Sequence, residues 1–339
     1  MRCFFGFLYV CVLGVMPLVG CADEGGNTGG VVLDLGITRF MHANLNVSDF
    51  ERSRAFYETL GFASLLDVEE SVSAEQAAAL DMPPYTYRAS AMIIPDGMID
   101  LMHWKDPYDG SPPYPSLFNL GLVSIALSTS DIDADVAVLA DAGVEFVSEP
   151  VGVERDDEYV RFVFLKDDDG IAVELVEAGD DGSGTLPGPD AQTHVTGFRY
   201  TTLNCSDLDR SRAFYEMLGF TIGETTRETG TAELAKAYGL DSYDLKRLYM
   251  TLGDGAGIDL VAWSAPYDGT PPYEHLNHLG IGRIALETTD IDGDVDKLKG
   301  KGVKFYSEPM RMDGAFSTFR VVFFEDPDGV VIELVELGQ

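Results

Sequence analysis

From His42 to Val47 apolar and polar positions alternate, and the pattern then switches to a helical period. The alternation predicts a half-buried strand. Phe50, Phe56, Tyr57 and Leu60 fall on one helical face, Ser48 with Glu51 three positions on predicts a capping box, and Gly61 predicts the helix stop. Apolar runs at 91–94 and 98–102 predict further strands, 123–128 another, and 132–142 a second helix stopped by Gly143. Residues 160–165 and 171–176 read as a hairpin turned by 167–170, Asp-Asp-Asp-Gly. Short polar segments with helix-forming residues interrupt the pattern at 74–80 and 232–238.

The whole pattern then recurs. Residues 40–62 align with 198–220 at fifteen of 23 positions, and Pro-Tyr-Asp-Gly-x-Pro-Pro-Tyr occurs at 107–114 and again at 266–273. Val-Glu-Leu-Val-Glu at 173–177 is matched by Ile-Glu-Leu-Val-Glu at 332–336. A period near 159 residues is a domain duplication, since solenoid units are much shorter. Residues 179–194, rich in Gly, Asp and Pro, read as the linker between a first domain at 36–178 and a second at 195–339. Each copy contains two strand–helix–strands units, an α+β composition.

The first twenty residues differ in kind: Arg2 precedes an almost wholly apolar run to Val19, too short to span a bilayer comfortably, before Leu-Val-Gly-Cys at 18–21. The junction resembles the lipobox of bacterial lipoproteins, which implies a signal peptide at 1–20, acylation of Cys21, and a location in the cell envelope, at the outer membrane facing the periplasm. Residues 21–35 then read as a flexible tether. Cys3 and Cys11 leave with the signal, so Cys205 stands alone as a small core residue and no disulfide framework is expected. With 57 acidic against 23 basic residues and a net charge of −34, nucleic acid is excluded as a partner, and the acyl chain rather than the protein surface must hold the membrane.

The Val-Ser-Asp-x-x-Arg-Ser-x-Ala-Phe-Tyr-x-x-Leu-Gly-Phe run from Val47, the Asp-Pro-Asp-Gly turn at 326–329 and the closing Glu-Leu together resemble the vicinal oxygen chelate superfamily of glyoxalases, extradiol dioxygenases and bleomycin-resistance proteins. The resemblance implies paired βαβββ modules curling into half-barrels, four modules in all. It also implies four inner positions per site that converge on a divalent cation, for which Fe, Mn, Ni or Zn would suit His and carboxylate ligands.

By alignment those positions are His42, Asp100, Ser124 and Glu174 in the first copy and Tyr200, Asp259, Arg283 and Glu333 in the second. Arg283 cannot ligate a metal, so it is read as neutralising Glu333 or binding an anionic substrate. A site within the first copy would use His42, Asp100 and Glu174 as metal ligands, and one across copies would use His42, Asp100 and Glu333 with Arg283. Glu174 and Glu333 are the proton-moving candidates, and Ser124, Tyr200, Asp259 and Arg283 the substrate-binding ones. The two Pro-rich segments, with Trp104 and Trp263 just before them, read either as an aromatic rim over the site or as ordered connections; His103, His275 and His278 nearby read as surface residues. Two functions remain open: a metal-dependent enzyme acting on a small oxygenated or aromatic molecule, and a metal-free protein that sequesters one.

Overall fold

The structure is a computed structural model that describes residues 32–77, 80, 82–155, 158–178, 191–253, 256–313 and 318–338. The predicted signal, Cys21, most of the tether and residues 179–190 of the linker lie outside them.

The first copy runs β1 (Ile37–Asn46), α1 (Phe50–Thr59), β2 (Ala63–Val72), α2 (Ala74–Ala77), β3 (Tyr85–Ile94) and β4 (Gly97–Asp106). It continues with β5 (Gly121–Thr129), α3 (Ile132–Asp141), β6 (Glu145–Phe146), β7 (Val151–Arg155), β8 (Glu158–Lys166) and β9 (Ala172–Glu177). The second copy repeats this as β10 (Val195–Asn204), α4 (Leu208–Met217), β11 (Thr221–Thr229), α5 (Ala232–Ala237), β12 (Asp244–Thr251) and β13 (Gly257–Ala265). Its last module is β14 (Gly280–Thr288), α6 (Ile291–Lys299), β15 (Met310–Asp313), β16 (Thr318–Glu325) and β17 (Val331–Leu337). The architecture is α+β, two tandem copies of paired βαβββ modules.

The sheets do not follow the copies. One sheet has the order β15-β16-β17-β14-β1-β4-β3-β2, so the chain's first module pairs with its last. The other has the order β11-β12-β13-β10-β5-β9-β8-β6, with β7 on β8, and joins the two middle modules. Both seams are antiparallel, β1 against β14 and β10 against β5. The first sheet curls into a half-barrel, since side chains from both of its edge strands, β2 and β15, meet around one cavity.

Within a copy the two modules are tied by a different device. Asp49, not Ser48, caps α1, its carboxylate accepting the Arg52 N–H at 3.2 Å. Ser48 is diverted to the β8–β9 turn, where its N–H and hydroxyl both donate to Asp169, and Arg52 donates to the same carboxylate at 3.0 Å. The fully buried Tyr57 donates its hydroxyl to Asp167 at 3.0 Å. Ser206, Arg210 and Tyr215 repeat these bonds to Asp328 and Asp326. The sequence run that carries the family resemblance is therefore a bolt between modules. Gly61 at φ +103° ends the turn after α1, in a region open to glycine at little cost.

Alternation along β1 sends Ala43 and Leu45 into the core shared by the two sheets and leaves His42 on the concave face. Cys205 is buried as expected, and burial pushes its thiol up to about 12. No helix among the described residues is long and apolar enough to cross a membrane.

Candidate functional site

Strand register brings five charged or polar side chains together on the concave face of the first sheet. Asn44 of β1 lies between Asp100 of β4 and Arg283 of β14, and in the next row Ala285 of β14 lies between His42 and Glu333 of β17. The small Ala285 leaves room for its two neighbours: His42 Nε2 is 3.8 Å from Glu333 Oε2. Arg283 donates from Nε to Glu333 at 2.7 Å and from a terminal nitrogen to Asp100 at 3.3 Å. Asn44 Nδ2 donates to the Asp100 backbone carbonyl at 3.1 Å and its carboxylate at 3.3 Å.

Burial dominates the electrostatics. Desolvation pulls the His42 imidazole below its usual range, against the pull of Glu333 and Asp100 and with the push of Arg283. A buried neutral imidazole follows, and neither of its ring nitrogens has a hydrogen-bond partner. The Arg283 guanidinium, desolvated but flanked by Glu333 and Asp100, is held above its already high value and is permanently charged.

Above these groups opens a cavity of about 320 Å³, lined almost wholly by apolar side chains, among them Met41, Met98, Met102, Tyr85, Tyr87, Trp104 and Phe323. The equivalent space in the second sheet is filled, with about 20 Å³ left. Two positions account for much of the difference. Opposite Met102 and Asp100, β3 carries Ala89 and Ala91; opposite the equivalent Val261 and Asp259, β12 carries Arg247 and Tyr249. Arg247 enters the second groove and pairs with Asp259, and Tyr249 packs on Tyr200 at 5.6 Å between ring centroids. Tyr200 donates to the buried Glu174 at 3.1 Å, and Tyr238, following α5, packs against Trp263 at 5.3 Å.

The grouping of His42, Asp100 and Glu174 as ligands of one metal is thus corrected. Glu174 belongs to β9 in the second sheet, with Ser124, Tyr200 and Asp259, because modules pair across copies. Of the substrate-binding candidates only Arg283 faces the open cavity; Ser124 and Asp259 line the small residual space of the filled groove, and Tyr200 packs in its apolar cluster. The Pro-rich segments are connections: Tyr114 and Tyr273 stack at 4.0 Å, and each backbone N–H donates to the other's hydroxyl. Trp104 does line the cavity, its indole N–H donating to Asn46 at 2.9 Å. His278 stacks on Tyr273 at 4.1 Å, and His103 lies against the Val47 carbonyl. Asn44, Ala89 and Ala91 escaped the sequence reading; aligning the copies at 89 and 91 would have flagged the two alanines.

The fold defines the class: tandem domains of the glyoxalase/dioxygenase-like kind. Residues 39–175 and 194–334 both match the Glyoxalase/Bleomycin resistance protein/Dioxygenase superfamily, and the chain belongs to that family. Over 141 residues it is 34% identical to a probable lactoylglutathione lyase of Synechocystis, covering 40% of this chain and 92% of that protein. Lactoylglutathione lyase of Schizosaccharomyces pombe is 22% identical over 319 residues, 89% of this chain and 98% of its own length. Glyoxalase I of Zea mays shares the fold, with a TM-score of 0.58 and 19% identity over 88% of this chain and 92% of that one.

The residues present do not fit a resident divalent metal. Arg283 stands between Asp100 and Glu333, so a fixed cation already occupies the position a metal would take, and it would repel a second.

Proposed function

We propose that this glyoxalase/dioxygenase-like protein binds a small, largely apolar molecule in the groove of the first sheet without a resident metal. The position of Arg283 between the two carboxylates carries the reading. The groove supplies apolar walls for the body of the ligand and a polar floor of His42, Asp100, Arg283 and Glu333 for its functional group. Any proton transfer would fall to Glu333, which faces the cavity, rather than to Glu174, which is closed in beneath Tyr200.

A metalloenzyme is the second reading, favoured by the unpartnered nitrogens of His42: with Arg283 displaced, His42, Asp100 and Glu333 would hold the cation. Titration with Zn, Ni, Mn and Fe(II) separates the two. The protein as it stands is expected to take up no stoichiometric metal, whereas Arg283→His, which replaces the guanidinium by an imidazole able to ligate, is expected to bind one equivalent. Stoichiometric binding by the unaltered chain, lost in His42→Ala, would reverse the order of the readings.

We also propose that the protein works in the cell envelope, held by acylation of Cys21; the apolar run before Leu18-Val19-Gly20-Cys21 supports this. Cys21→Ser should abolish incorporation of labelled fatty acid and release the protein from the membrane fraction. Retention of the label would refute the anchor.

A further inference from the structure

Resting on the groove-binding reading, the geometry points to a lipophilic amine, a monocation with an apolar or aromatic body, as the class of ligand the first groove takes. The polar floor carries two carboxylates against one guanidinium, and beside them His42 has both ring nitrogens without a hydrogen-bond partner. One negative charge is left over. It lies on the Asp100 side, since Arg283 is drawn to Glu333 at 2.7 Å and reaches Asp100 only at 3.3 Å, and the Asp100 side chain is 19% exposed against 9% for Glu333.

The walls complement a cation in two further ways. Tyr85 and Trp104, 4.7 Å apart between ring centroids, form with Tyr87 an aromatic lining of the kind that attracts an ammonium group. Met98 and Met102 offer polarisable, adaptable surface to the apolar body. His42, buried with both ring nitrogens unpartnered, presents an acceptor to an ammonium N–H. Around the groove, a chain of net charge −34 concentrates cations at its surface and repels anions. A carboxylate ligand would add to the excess negative charge, because the guanidinium that could receive it is already shared by Asp100 and Glu333.

Three probes with one body and different heads test the assignment: phenylbutylamine, phenylbutanol and phenylbutyrate, titrated calorimetrically into the intact protein. The amine is expected to bind about tenfold or more tighter than the alcohol, in the range that desolvated cation–aromatic and charge pairing supply, and the carboxylate weakest. Asp100→Asn should bring the amine down to the level of the alcohol measured on the same variant, with a cooperative thermal melt reporting that the variant is folded. Should that variant fail to fold, the ranking on the unaltered protein decides alone. Equal binding of all three, or preference for the carboxylate, overturns the amine assignment and leaves the groove-binding reading standing; binding by none overturns both.

Discussion

At the level of single residues, two alanines separate an open groove from a closed one. Ala89 and Ala91 hold the places that Arg247 and Tyr249 fill in the second sheet, and neither position has chemistry of its own to draw attention. Ala91→Tyr should therefore convert the first groove into a copy of the second. Loss of ligand binding with thermal stability unchanged or slightly raised is expected, since added aromatic surface would be buried in existing space. Retained affinity would show that the ligand sits elsewhere. His42, Asp100, Arg283 and Glu333 were legible because the family resemblance marks the inner positions and alignment places these residues there. Asn44 was not: its role arises from strand register, which sets it between Asp100 and Arg283.

Among the elements, the β8–β9 turn shows how a polar group can be both buried and useful. The Asp167 carboxyl accepts N–H groups from Asp169 and Ile171 and the Tyr57 hydroxyl, yet burial outweighs these bonds and pushes it up to about 7; its counterpart Asp326 is pushed up to about 6. In an unfolded chain such groups titrate at about 3.9. A carboxyl raised in the folded state contributes stability that is complete below about pH 4 and is lost as pH rises through the folded value. Asp167→Asn removes that proton equilibrium. Between pH 5 and pH 8 the unaltered protein should lose on the order of 2 kcal/mol relative to the variant, measured by urea unfolding at each pH; parallel pH profiles would contradict the buried-acid account. The hairpin and turn were readable from pattern, as were β1, α1 and α3. The cap of α1 was misread because Ser48 and Asp49 are both good caps, and only the distant Asp169 decides between them. Strand β2, with three acidic residues among its ten, escaped notice because an edge strand tolerates charge that the interior of a sheet would not.

For the whole molecule, the duplication was plain in the sequence but the partnership of its modules was not. Choosing between pairing within and across copies is a matter of which strand edges, far apart in the chain, meet, and no local pattern encodes it. That choice misdirected Glu174. It also means that a single copy leaves two inner strand edges, β1 and β5, without the partners they have in the full chain. Residues 36–178 expressed alone should consequently self-associate or precipitate, and regain a defined one-to-one state when mixed with residues 195–339; sedimentation velocity would show this. A stable, monomeric first copy would contradict the cross-copy architecture.

The two seams have a consequence for how such a protein can change. Two identical copies joined in this way would form two grooves related by a two-fold axis, so any substitution would strike both at once. Placing the copies in one chain breaks that constraint: position 89 can stay small while its twin at 247 becomes arginine, and position 283 can gain a guanidinium while its twin at 124 stays a serine. One groove is then free to become pure scaffold, and the other can carry a fixed charge, each drawing half of its residues from either copy.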